Sequence, residues 1–283
     1  MNKIKASVVI PVYNQLESLL RVLMGFSMQT LSKEYFELVI IDDGSTDDLR
    51  NLNNGEILRL YGLQSMVVHQ KNSGRAKARN VGIDNSNSNI IIFCDGDRFP
   101  KQDFIEQHIT FHSNKENIVI GSSYDYFGKS TSITTNEIIW NDVIKYSRLP
   151  VYYKKITSIY NSQGNTSSRL AWLSFLVGNS SISKRLLNSI GGFNESFIEW
   201  GFEHFELALR LQEIGCHFTL NSCAANYHIP HSRPSGFYTE MINKNMVLLS
   251  QMHGHINCSV MEKLLKDNIE IKEAEKSIFY DVI

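Results

Sequence analysis

Asp95-Gly96-Asp97 directly follows an apolar run, Ile90–Cys94. Two carboxylates at that spacing on a strand end can hold a divalent ion that bridges the phosphates of a nucleotide, although Asp-Gly pairs also serve plain turns. Asp42-Asp43-Gly44-Ser45 closes an earlier apolar run. One carboxylate there can accept from the N–H of a base while Ser45 caps the next helix. A cap explains Ser45 but not two adjacent acids. Farther on, Trp200 offers a flat face to the C–H side of a sugar ring and Gly201 lets a backbone approach closely; a core tryptophan beside a turn is the alternative. Glu203 and Glu206 lie one helical turn apart and can share a face. Glu206 and Arg210 have the i,i+4 spacing of a simple ion pair, which makes Glu206 the more structural of the two.

The elements that must carry these residues alternate in type through the first half of the chain. Strand-like runs at Ala6–Val12, Phe36–Ile41, Met66–His69 and Ile90–Cys94 are separated by helical patterns, including one over Arg75–Asp84. That alternation predicts an α/β fold with a mainly parallel, Rossmann-like sheet flanked by helices. Asn14 with Glu17, and Ser45 with Asp48, have the spacing of helix starts. Ligands of such sheets sit beyond the carboxyl ends of the strands, so Tyr13, Asp42-Asp43 and Asp95-Gly96-Asp97 should ring one crevice. From Asp125 to Arg169 the periodicity fades, and the segment reads as an insertion shaping a substrate site or as a surface excursion. A strand-like run at Leu173–Ser183, a turn at Gly191-Gly192, a helix over Glu203–Ile214, a strand around Cys223–Ile229 and helices over Thr239–His253 and Val260–Ser277 complete the pattern. The last helix has an apolar face at Leu264, Leu265, Ile269 and Ile271 that suits packing on the domain or a homo-oligomer contact. Expected units are 1–122, 123–235 as the second half of the same domain, and 236–283 as a helical extension.

Composition narrows the partners. The chain has 283 residues, 28 Lys+Arg against 29 Asp+Glu, and 42% hydrophobic residues, enough for a substantial core and with no positive excess for nucleic acid. The apolar stretch after Met1 stops at Pro11, too short for a secretory signal, and no later run reaches the roughly 18 residues of a membrane span. The expected location is the cytoplasm, extending to the inner membrane face, with Cys94, Cys216, Cys223 and Cys258 as reduced thiols. No GxGxxG follows the first strand, and Gly128-Lys129-Ser130 lacks the P-loop glycine because position 123 is Ser. Asn165-Thr166-Ser167 and Asn179-Ser180-Ser181 match glycosylation sequons by chance.

SVVIPVYNQ, VIIDDGSTD, NSGRAKARNVG and FCDGD, in this order, resemble the nucleotide-binding half of family 2 glycosyltransferases of the GT-A fold. The resemblance implies that Pro11 and Tyr13 line a uracil pocket and that Asp43 binds the base. It also implies that Asn72, Arg75 and Lys77 lie near ribose and phosphates. Asp97 would be a direct ligand of Mn²⁺ or Mg²⁺, with Asp95 nearer the ribose or the metal's water. Residues 178–216, from GNSSISK to LQEIGC, are similar to the carboxyl-terminal galactosyltransferase-type segment of galactosyl-, N-acetylgalactosaminyl- and chondroitin-type transferases. There Gly-Gly-Phe and Trp-Gly-x-Glu shape the donor-sugar and acceptor pocket.

The implied activity is metal-dependent transfer of a hexose or N-acetylhexosamine from a UDP-sugar to a hydroxyl acceptor such as a glycan or glycoconjugate. Relatives with Glu-Asp use the Asp as base; here His204 stands in its place. Either His204, as a residue type with an ordinary pKa near ~6.5, or Glu203 takes the proton, or no base is used, as in some retaining relatives with Glu-Asn; Glu203 is favoured, because a carboxylate also stabilises positive charge developing on the sugar. Relatives also supply a histidine to the metal from the region of Tyr227–Arg233, and His228 is favoured over His231. Cys223 with these two histidines lacks the spacing of a zinc site. A nucleotidyltransferase is disfavoured because Pro11–Asn14 holds neither Gly nor Lys. A non-catalytic sugar-binding protein on the same fold is the other alternative, motivated by His204.

Overall fold

The computed structural model describes residues 3–112, 118–134, 136–229 and 234–280. Its elements, in chain order, are β1 (Ala6–Val12), α1 (Leu16–Ser27), β2 (Phe36–Asp42), α2 (Asn54–Tyr61), β3 (Ser65–His69), α3 (Arg75–Asp84), β4 (Ile90–Cys94), β5 (Arg98–Pro100), α4 (Phe104–Phe111) and β6 (Ile118–Tyr126). Then follow α5 (Trp140–Lys145), β7 (Ser147–Arg148), α6 (Val151–Thr157), β8 (Asn179–Ser183), α7 (Lys184–Ser189), α8 (Glu203–Glu213), β9 (Phe218–His228), α9 (Phe237–Met252), α10 (Cys258–Leu265) and α11 (Ile271–Ser277).

The strands form one sheet in the order β3-β2-β1-β4-β8-β6-β9-β5, with β7 paired to β6. The first four strands are parallel neighbours. Beyond them the sheet is mixed, because β8 runs antiparallel to both β4 and β6 while β6 and β9 are parallel. All seven residues of β1 are buried, as expected of a strand covered on both faces. Its side chains alternate between two cores: Val9 packs with Ile91, Phe93 and the α8 leucines, whereas Val8 and Ile10 pack with Leu19, Leu23 and Phe104. A Cβ on Gly82 would come within 2.3 Å of Val9 Cγ1, so α3 rides directly on β1.

Several expectations change. Asn14 is not a helix cap: it adopts a left-handed conformation (φ 51°) and its side chain accepts from the Thr46 N–H at 2.7 Å. Ser45 does not cap a helix either; its hydroxyl accepts from the Asn14 N–H at 2.9 Å, and only a short 3-10 turn at Asp48–Asn51 follows, capped by Asp47. The strand-like run Leu173–Ser183 splits: its apolar first half belongs to a 3-10 turn at Ala171–Ser174 and the residues after it, because apolarity alone does not distinguish a buried turn from a buried strand, and only the polar Asn179–Ser183 forms β8. The expected helix over Val260–Ser277 is two helices, broken where Asp267 is left-handed (φ 59°) and the Asn268 N–H closes back on the Lys263 carbonyl. Leu264 and Ile269 are buried in the domain's own core. The segment Asp125–Arg169 contains α5, β7 and α6. Among the described residues, no helix is long and apolar enough to cross a membrane.

Candidate functional site

Two adjoining cavities open beyond the carboxyl ends of β1, β2 and β4 and share Arg75 and Trp200. The first is bordered by Pro11, Tyr13, Asp43, Asn72, Arg75 and Trp200. The adjacent acids divide the work. Asp42 stitches the loop, accepting from the Ser45 N–H at 2.9 Å and lying 2.8 Å from His69 Nδ1. Asp43, only 5% exposed, accepts from the Ser73 and Gly74 N–H groups, both at 2.9 Å, and from Gln70 Nε2 at 2.7 Å. Gly74 makes this loop possible: its φ is +92° and a Cβ would sit 2.5 Å from the Ile198 carbonyl oxygen. Tyr13 stands at the rim, 47% exposed. Lys77 borders neither cavity; it pairs with Glu195 at 3.2 Å on the far side of α3.

The second cavity gathers Asp95, Asp97, Arg98, Glu203, His204 and His228. Beneath it lies Arg79, fully buried, donating to Glu203 Oε1 at 2.6 Å and to Asp95 Oδ1 at 2.9 Å. Arg98 Nε stands 3.6 Å from the other Asp95 oxygen. Burial works to raise the pKa of Glu203, but a hydrogen bond with His204 and the Arg79 charge outweigh it and hold the carboxyl well below the usual range. Glu203 Oε2 is buried with no protein partner. His204, on the first turn of α8, has Nδ1 3.8 Å from Glu203 Oε1. Two consecutive positive-φ residues, Gly201 (95°) and Phe202 (72°), turn the chain so that Trp200 and Glu203 face one space. Trp200 packs edge-on against Tyr238 at 5.1 Å. Glu206 points elsewhere and pairs with Arg210, both contacts at 2.8 Å.

Asp97 Oδ2 and His228 Nε2 are 3.6 Å apart, and the other ring nitrogen of His228 lies 2.9 Å from Asp125. Burial lowers the His228 pKa, yet Asp125 and Asp97 together raise it above the ordinary value. A carboxylate and an imidazole this close, the latter oriented by a further carboxylate, suit a borderline divalent ion such as Mn²⁺. Asp95 is engaged by two arginines, a worse ligand than Asp97. His231 lies outside the described residues. Reading the sequence alone missed Arg79, Arg98, Asp125, Tyr152 and Tyr238 as cavity or supporting residues. Arg79 had a usable signal, a basic residue among the buried Ala76, Ala78, Gly82 and Ile83 of one helix.

Residues 7–176 match the model of a family described as glycosyl transferase family 2, and residues 157–232 match one described as the N-terminal domain of galactosyltransferase. The chain is similar to the uncharacterized glycosyltransferase YfnE of Bacillus subtilis, at 26% identity over 80% of this chain and 65% of that protein. It is also similar to validoxylamine A glucosyltransferase of Streptomyces hygroscopicus subsp. jinggangensis (28%; 80% and 56%) and chondroitin synthase of Pasteurella multocida (27%; 78% and 24%). It therefore spans less than two thirds of each of these relatives. Its fold is GT-A-like: S. aureus TarS 1-349 in complex with UDP-GlcNAc superposes with a TM-score of 0.64 at 16% identity, covering 94% of this chain and 71% of that one.

Proposed function

Because the chain belongs to glycosyl transferase family 2, we propose that it moves a hexose or N-acetylhexosamine from a UDP-sugar to a hydroxyl group of a glycan or glycoconjugate. The observation that carries this reading is the continuity of the two cavities through Arg75 and Trp200. A nucleoside fits the first, between Tyr13 and Asp43, and a sugar fits the second, beside Trp200. TarS, whose complexes hold UDP and UDP-GlcNAc, supports the choice of donor.

Asp97 and His228 would hold Mn²⁺ or Mg²⁺, with Asp95 toward the ribose; the ion supplies positive charge against the diphosphate as it departs. Arg75 borders both cavities and adds a fixed positive charge between them. Glu203 Oε1 is taken up by Arg79 at 2.6 Å and its buried, unpartnered Oε2 suits a hydroxyl of the donor sugar, which draws Glu203 away from the proton transfer. His204 is then the base. It takes the acceptor's hydroxyl proton as the new oxygen–carbon bond forms and the bond to the diphosphate breaks, its electron pair leaving with UDP. That assignment entails inversion at the anomeric carbon, which anomeric NMR of the product reads directly.

Calorimetric titration of UDP with and without Mn²⁺, followed by a panel of UDP-sugars assayed for UDP release and acceptor-linked sugar, tests the proposal. Binding strengthened by Mn²⁺ and a glycosylated product are expected. No UDP binding in either condition removes it, pyrophosphate release makes the chain a nucleotidyltransferase, and binding without turnover across the panel leaves a sugar-binding protein.

A further inference from the structure

A second constellation lies apart from both cavities, where the carboxyl ends of two helices converge. Glu213 is the last residue of α8, and His253 is the residue that closes α9. With His255 these side chains each offer one ligand atom, and the three atoms lie within 4.8 Å of one another. His255 Nε2 is 2.8 Å from Glu213 Oε1. We infer that Glu213, His253 and His255 bind a divalent transition-metal ion of the zinc type, which ties the end of α8 to the connection between α9 and α10.

Four observations support the site. The donor set is two imidazoles and one carboxylate, the set that zinc takes with water in the remaining position, and unlike the oxygen-rich sets of Mg²⁺ or Ca²⁺. The ligands are preorganised by the backbone: the Ile256 N–H donates to the His253 carbonyl at 2.9 Å, and the Tyr280 N–H to the His255 carbonyl at 2.8 Å. The His255 ring also stacks on Phe279 with planes 6° apart. Glu206 Oε1 stands 3.3 Å from His253 Nε2, a carboxylate contact of the kind that orients metal-bound imidazoles. Finally, the partial negative charges of two helix carboxyl ends meet here and favour a cation. Arg210 already balances Glu206, which leaves Glu213 as the charged ligand.

This site is independent of the proposed transferase activity, and its test uses binding and stability instead of turnover. The full chain, stripped with a chelator, is titrated with Zn²⁺ by calorimetry and with Co²⁺ by visible absorption, and melted with and without Zn²⁺. In the wild type a Zn²⁺ site, a Co²⁺ spectrum with nitrogen ligation and a rise in Tm are expected. In His255→Gln and in Glu213→Gln the affinity should fall by more than about tenfold and the rise in Tm should vanish. Asp97→Ala, which removes the other candidate cation site, should leave all three signals in place. Equal affinity in the wild type and both ligand variants, loss of the signals in Asp97→Ala, or no binding at up to about 1 mM Zn²⁺ overturns the inference.

Discussion

Arg79 holds two carboxylates from distant parts of the sequence, Asp95 after β4 and Glu203 at the start of α8. Replacing it by Met leaves Glu203 buried without its counter-charge, and the expected loss is about 3–5 kcal/mol in urea denaturation. Adding Glu203→Gln should restore part of it; a loss below about 1 kcal/mol refutes the coupling. The same contact separates the two candidate bases. With His204 as proton acceptor, His204→Asn loses most turnover with donor affinity retained. Glu203→Gln should instead weaken donor binding. Unchanged turnover in His204→Asn sinks the assignment. The environment of Glu203 was not legible in the Glu203-His204 dipeptide, because its counter-charge, Arg79, stands 124 residues away in sequence. Asp95 and Asp97 were legible by contrast, since an Asp-Gly-Asp after a buried strand needs no distant partner to be noticed.

The loops that border the cavities depend on a few backbone positions, and these can be ranked. Gly74 and Gly201 both have positive φ, but a Cβ at Gly74 meets the Ile198 backbone at 2.5 Å while one at Gly201 meets nothing within 4 Å. Gly74→Ala should therefore cost more than Gly201→Ala, with about 1–3 kcal/mol from backbone strain in each case and the clash added at Gly74 alone. It should also weaken UDP binding, because the loop that presents Asp43 has to move. Paired thermal melts and UDP titrations check the order, and equal losses refute it. Elements of ordinary length with a clear apolar pattern were readable: β1, α3 and β4 have the bounds expected from their residues. The three-residue β5 is too short to carry a period. The break at Asp267 depends on an Asp accepting a left-handed conformation, which the apolar spacing of Leu264, Ile269 and Ile271 does not register.

Acid sensitivity belongs to the molecule as a whole. His108 and His112 meet at the Ser181 hydroxyl, and burial lowers their pKa values to about 3 and about 4 from an ordinary 6.5. Below pH 6.5 the unfolded chain takes up protons that the folded one refuses, so stability falls as pH drops toward 4. Tm should decline across that window, less steeply in His112→Gln, and a flat Tm contradicts the burial of neutral rings. The parallel half of the sheet was legible because its four strands alternate with helices. The antiparallel return was not, since nothing in Asn179–Ser183, polar at four of five positions, marks a strand destined for the middle of a sheet. That placement of β8, between β4 and β6, limits how this chain can exchange parts with its relatives. A crossover between β4 and β8 gives a hybrid whose central strand comes from one parent and whose flanking β4 comes from the other. One placed after β9 trades only helices. Functional chimeras should therefore inherit β4 through β9 as a block and exchange the helices after β9.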